Sequence, residues 1–163
     1  MDIAAKILLI WPLCLLSVLL HELGHALGYR ISGGKADWKV AAGSGPRMFG
    51  TKKYAFHLIP MGGWFVPAEE PATKKGIIAM CAGGPLVSLL QAVLYGLVRF
   101  LVFGNIQPES GIREILFYVT NFILLYNLFQ FLFTIIPVRY RIICRGHDSD
   151  GLQIIHALRH KEN

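Results

Sequence analysis

The sequence predicts an all-α polytopic membrane protein with about three transmembrane helices and a small membrane-associated β hairpin in its longest loop. Two observations carry this expectation. Of the 163 residues, 54% are hydrophobic and only 16% are charged, and the mean hydropathy is +0.50. That is too apolar for an ordinary soluble domain of this length. The apolar residues also fall in runs long enough to cross a bilayer, which takes about 20 residues as a helix.

Ile7 to Leu20 is uninterrupted apolar sequence, and its flanks extend it to a first span over about 3–29. The second span, 77–103, contains one charge, Arg99, placed near its end where the guanidinium can snorkel to the interface. The third, 115–138, contains none. Repeats and low-complexity tracts are absent, and 30–76 is the only sizeable segment between spans, so 1–163 reads as a single membrane-embedded domain. Lys6 and the apolar run after it resemble a signal peptide, yet no small-x-small cleavage site ends that run before His21.

The net charge of +6 does not point to nucleic acid, because the basic residues lie between the apolar runs and no DNA- or RNA-reading motif accompanies them. They act instead as topology signals. The 30–76 loop has eight Lys and Arg and the tail after Val138 has five, against Lys6, Arg99 and Arg113 on the other side. The positive-inside rule then places the loop and C-terminus in the cytoplasm and the N-terminus outside. Cys14, Cys81 and Cys144 are odd in number and widely spaced, which excludes a disulfide framework and a CxxC metal site and leaves them as small apolar fillers.

The stretch "VLLHELGHAL", 18–27, puts two histidines and a glutamate at the end of the first span. Burying such groups in a bilayer costs roughly 2.5–3.5 kcal/mol for the worst offenders at mid-helix, so something must offset it. His21 and His25 are four residues apart and project from one helix face, the spacing at which two imidazoles bind one Zn²⁺. Glu22, beside the first of them, can reach a water activated by that ion and take its proton as the water attacks a peptide carbonyl. A structural histidine pair would have to find other partners for all three groups.

Catalytic zinc usually has three protein ligands and an open position. "RGHDSDG", 145–151, follows the third span and, by the charge count, emerges on the same side as the histidines. Asp148 and Asp150 are the candidates there, with His147 as a competitor, and a plain Asp-Gly turn is the alternative. A calcium loop fails, because Ala157 falls where the bidentate Glu is required.

With these residues in place, the chain resembles the site-2 protease family of intramembrane zinc metalloproteases, in particular its compact members without a PDZ insertion. "HELGH" at 21–25 matches the zinc motif, "GSGP" at 43–46 and "IPMGGWFVP" at 59–67 the loop after the first span, "AGGPL" at 82–86 the second-span signature, and "SDG" at 149–151 the third-ligand motif. The resemblance implies His21, His25 and Asp150 as zinc ligands, Glu22 as catalytic base, and a bacterial plasma membrane as the setting. It also implies a membrane-protein substrate cleaved in or near its transmembrane segment, in regulated proteolysis, with a regulatory membrane partner. Two positions depart from the pattern: Ser88 and Thr134 stand where family members often have Asn.

The apolar segment 54–67 is expected to form extended arms around a tight turn at Gly62-Gly63 and to touch or re-enter the membrane. An exposed edge there could hold an extended substrate by backbone pairing. Alternatively, Trp64 and Tyr54 simply anchor the loop at the interface. Asn121, Asn127 and Gln130 are expected to join helices by hydrogen bonds, and Gly83, Gly84 and Pro85 to allow close packing or a bend near the metal. "GLQIIHAL", 151–158, reads as a short amphipathic helix with Leu152, Ile155 and Leu158 inward.

Two other functions fit less well. A non-catalytic relative acting as a binding, chaperone or immunity protein would have no use for Glu22. A metal transporter would need a polar path that the Ile7 to Leu20 run does not offer.

Overall fold

The structure, a computed structural model, describes residues 3–104, 111–140 and 146–159. Three long helices, α1 (Ile3–Ile31), α2 (Lys74–Phe103) and α3 (Ile112–Ile135), form a bundle. Two strands, β1 (Trp38–Gly50) and β2 (Tyr54–Pro67), lie between α1 and α2 in sequence, and a short helix, α4 (Asp150–Arg159), follows α3. All three long helices are long and apolar enough to cross a membrane. Leu86, Leu90, Leu94, Leu97 and Leu101 stay exposed along α2; a contiguous apolar face of that kind suits lipid rather than water.

The helices begin and end for local reasons. α2 starts one turn before the expected 77 because Thr73 caps it, its side chain accepting from the Gly76 amide. α3 is displaced towards the N-terminus of the expected 115–138. Pro137 forces Ile136 into extended backbone, which stops the helix at Ile135. Small residues set the approach of α1 to α2. A Cβ on Gly24 would run into the Gly83 carbonyl, and one on Gly28 into the Ala79 carbonyl. Gly24 and Gly28 are one turn apart, the small-xxx-small spacing that lets membrane helices pack backbone to backbone. α1 meets α3 through an apolar cluster of Cys14, Val119 and Ile123 and through one polar link, in which Asn127 Nδ2 donates to Ser17 Oγ at 3.1 Å; Asn121 instead donates to the Phe117 carbonyl of its own helix.

The hairpin differs from the expected one. Its turn is at 51–53, not at Gly62-Gly63, and its first arm is β1, paired antiparallel to β2. Thr51 makes that turn, since its Oγ1 accepts from the Lys53 and Tyr54 amides and its own amide donates to the Tyr54 carbonyl. Glycine still bends the arms, with positive φ at Gly43, Gly45 and Gly62. Val40 to Ala42 consequently face Phe65 to Gly63 on one side and Tyr54 to Phe56 on the other.

β2 lies along α1. Trp11 Nε1 donates to the Leu58 carbonyl at 2.9 Å, and Phe65 stacks on His25 and packs at a tilt against Tyr29, with ring centroids 6.5 and 5.7 Å apart. Trp11 and His25 are fourteen residues apart, about 21 Å of helix. The strand therefore runs beside the apolar half of α1 as well as beside the HELGH motif. Tyr126 of α3 secures the middle of the same strand by donating to the Pro60 carbonyl at 2.5 Å.

α4 forms over the expected residues, with Leu152 and Ile155 half-buried as expected but Leu158 not. Gly151 and Ala157 face inward, whereas Leu158 is 59% exposed. Gly151 packs so closely on the Ile135 carbonyl that a side chain there would collide with it, and this fixes which face of α4 meets α3. Cys14 and Cys81 are buried free thiols, in keeping with a filler role, and Cys144 and His160 lie outside the described residues.

Candidate metal centre

Helical periodicity brings His21 and His25 onto one face of α1, and both are buried with Glu22 between them in sequence. Their Nε2 atoms are 3.2 Å apart. Each ring is held from behind by α2. His25 Nδ1 lies 2.8 Å from the Met80 carbonyl and His21 Nδ1 2.8 Å from Ser88 Oγ. A carbonyl can only accept, so His25 carries its proton on Nδ1 and turns a lone pair outward at Nε2. The Ser88 hydroxyl can hold His21 the same way. Outer partners of this kind orient metal-ligating histidines.

The third group comes from the start of α4. Asp150 Oδ2 is 3.7 Å from His21 Nε2 and 3.6 Å from His25 Nε2. Ser149, almost fully buried, places it there. Ser149 Oγ donates to the Ile136 carbonyl at 2.8 Å and accepts from the Val138 amide at 3.1 Å, which ties it to the end of α3. The same oxygen accepts from the Leu152 amide at 3.2 Å, capping α4 so that Asp150 occupies its first turn.

Asp148 points elsewhere. Arg139 grips it through Nε at 2.6 Å and Nη2 at 3.3 Å, and His156 Nδ1 is 3.3 Å away. The Arg139 guanidinium holds the Asp148 carboxyl below the usual carboxylate range. His147 is exposed, and among the described residues the one group of three metal-binding side chains is His21, His25 and Asp150.

The residues fit a zinc ion. Tetrahedral ligands at the usual Zn–N distance would leave their nitrogens about 3.3 Å apart, close to the 3.2 Å separation of the two Nε2 atoms. Two neutral imidazoles and one carboxylate are a donor set known in catalytic zinc sites, with a fourth position left open. Gly84 supplies the floor, since a Cβ there would run into His25 Nε2 and come within 2.8 Å of His21 Nε2. Glu22 faces β2, where a Cβ on Gly63 would lie 2.6 Å from its Oε1. A carboxylate thus stands beside the ligand cluster and next to a strand.

The Peptidase family M50 model matches residues 10–157, a span that includes every residue of this cluster. The chain belongs to peptidase family M50. This is the site-2 protease family of intramembrane metalloproteases, zinc enzymes in general, and the chain is a compact member without a PDZ insertion. No curated relative and no solved structure matches the chain.

Of the two family departures, Ser88 is in contact with the cluster and Thr134 is not; Thr134 Oγ1 bonds back to the Gln130 and Phe131 carbonyls of its own helix. Sequence reasoning missed the roles of Ser149, Ser88 and the Met80 carbonyl. For Ser149 a signal existed, because Ser followed by Asp ahead of an apolar-periodic run marks a helix start. For the other two there was none, since the partners are 67 and 55 residues apart in sequence.

Proposed function

We propose that the protein is an intramembrane zinc metalloprotease that hydrolyses peptide bonds in or near transmembrane segments of membrane proteins. The convergence of His21, His25 and Asp150 beside Glu22, on a helix able to cross a membrane, carries this reading. His21, His25 and Asp150 would hold the zinc, which when bound supplies a Lewis acid that polarises water and the scissile carbonyl. Glu22 takes a proton from the attacking water and delivers it to the leaving amide nitrogen as the C–N bond breaks, so that one water is consumed and an acid and an amine are formed.

β2 positions the substrate. A transmembrane helix hides its peptide bonds and must unwind before it can be cut, and the stretch of β2 around Gly63 offers backbone groups to an extended segment next to Glu22. Its apolar neighbours Met61, Trp64 and Val66 are exposed, suited to apolar substrate side chains or lipid. The loop and C-terminus face the cytoplasm, as the distribution of basic residues favours, and substrate choice rests on the membrane domain or on a membrane partner.

The test is zinc content together with cleavage of a panel of single-span reporters by the purified protein in nanodiscs. One zinc per chain with cleavage inside or beside the reporter span is expected; zinc without cleavage of any reporter would favour a binding role instead.

Two substitutions probe the centre itself. Gly84→Ala puts a methyl group against both Nε2 atoms and is expected to abolish zinc binding while the helices remain, measured by metal analysis and circular dichroism. Ser88→Ala removes the hydrogen bond behind His21 and is expected to weaken zinc by about 10–100-fold, the usual cost of losing an outer partner, in competition with a chelator.

A further inference from the structure

A second set of buried polar side chains lies one turn from His21, towards the N-terminal end of α1. Asn127 is fully buried, and its Nδ2 donates to the Ile123 carbonyl at 2.9 Å and to Ser17 Oγ at 3.1 Å. Because the Ile123 carbonyl only accepts, the orientation of the amide is fixed and both of its hydrogens are used. Among the described residues Asn127 Oδ1 is left buried without a hydrogen-bond partner, and so is Gln130 Oε1 one turn further along α3. Gln91 Nε2 completes the group by donating to the Ser17 carbonyl at 3.4 Å.

This seam abuts the metal cluster on two helices. Ser17 precedes His21 by one turn of α1, and Gln91, bonded to Ser17, follows Ser88, bonded to His21, by one turn of α2. α1 and α3 run in parallel, since Asn127 meets Ser17 and the chain beyond α3 brings Asp150 to His21. Advancing from Asn127 to Gln130 is about 4.5 Å of helix and from Ser17 to His21 about 6 Å, so Gln130 lies between those two levels.

Carbonyl oxygens inside a helix bundle need donors, and lipid supplies none. A polar lining between helices is the setting in which buried water is found.

We propose that Asn127 Oδ1 and Gln130 Oε1 bind ordered water within the bundle, and that this seam stores water for hydrolysis at the neighbouring centre. The storage role rests on the proteolytic reading above; the water site does not.

X-ray hydroxyl-radical footprinting of the zinc-loaded protein in nanodiscs, in ¹⁸O-water with mass-spectrometric readout, separates the two. Ile123, with no exposed surface, can be labelled only by water held beside it. Labelling of Ile123 in the wild type, its loss in Asn127→Leu and in Gln130→Leu, and a lowered kcat at unchanged zinc content are expected. Absence of label in the wild type, or label surviving both substitutions, would overturn the water site. Loss of label with unchanged kcat would overturn the storage role. Gln130 is partly exposed and outside the Ser17 contact, so that variant keeps the test open should Asn127→Leu fail to fold. A wild type that is labelled but cuts no reporter would retain the water site and count against the protease.

Discussion

Glu22→Gln is expected to keep one zinc per chain and to lower reporter cleavage by about 10²–10⁴-fold, the range that general acid–base catalysis supplies. The substitution preserves the size of the side chain and so respects the contact with Gly63 on β2, where there is no room for anything larger. It removes only the ability to take a proton. Zinc should be retained because Glu22 is not part of the ligand cluster. Metal analysis and gel-based cleavage on the same preparation check both halves. Cleavage kept within a few-fold of wild type would move the base elsewhere, and loss of zinc along with activity would put Glu22 among the ligands. A purely binding function would be indifferent to the change, so this variant also separates the enzyme from a non-catalytic relative.

The spans and the histidine pair were legible in the sequence because each rests on one periodic constraint. A bilayer fixes how long an apolar run must be, and the α-helical repeat fixes that residues four apart share a face. Both hold whatever the rest of the chain does. The hairpin was only half legible. Gly62-Gly63 looks like a turn, and Gly62 does adopt positive φ, but the reversal is made by Thr51, whose hydroxyl accepts two amides. A side chain competing for backbone hydrogen bonds was the stronger turn signal there. The orientation of α4 was partly legible: Leu152 and Ile155 of its apolar stripe are half-buried and Leu158, in the last turn, is exposed, whereas the close contact of Gly151 with the end of α3 has no apolar signal in the sequence. Ser88 shows the same limit. In the sequence it is a departure from a pattern, whereas in the fold it is the hydroxyl that holds His21.

The two aspartates of "DSDG" pose this problem most sharply, because spacing alone does not say which of them would bind metal, and in the fold Arg139 engages one of them, Asp148. Asp150→Ala is expected to lose zinc by more than the roughly 10–100-fold that an outer partner costs, and to lose cleavage with it. Asp148→Ala is expected to keep zinc and most of the activity. Asp148 is engaged by Arg139, while Ser149 caps α4 and leaves the Asp150 carboxylate 3.6 and 3.7 Å from the Nε2 atoms of His25 and His21. The pH dependence follows the same division. A carboxyl held below its usual range stabilises the fold fully above the unfolded Asp value, and that contribution is lost as pH falls through the lower folded value. The Asp148–Arg139 pair is therefore complete at neutral pH, and Asp148→Ala and Arg139→Ala should share one mild phenotype there, a looser α3–α4 connection with zinc retained. Chelator competition on the three variants decides the matter. Zinc lost from Asp148→Ala and kept in Asp150→Ala would mean that the connection turns over when metal binds, with Arg139 releasing its partner, and the centre would then be His21, His25 and Asp148.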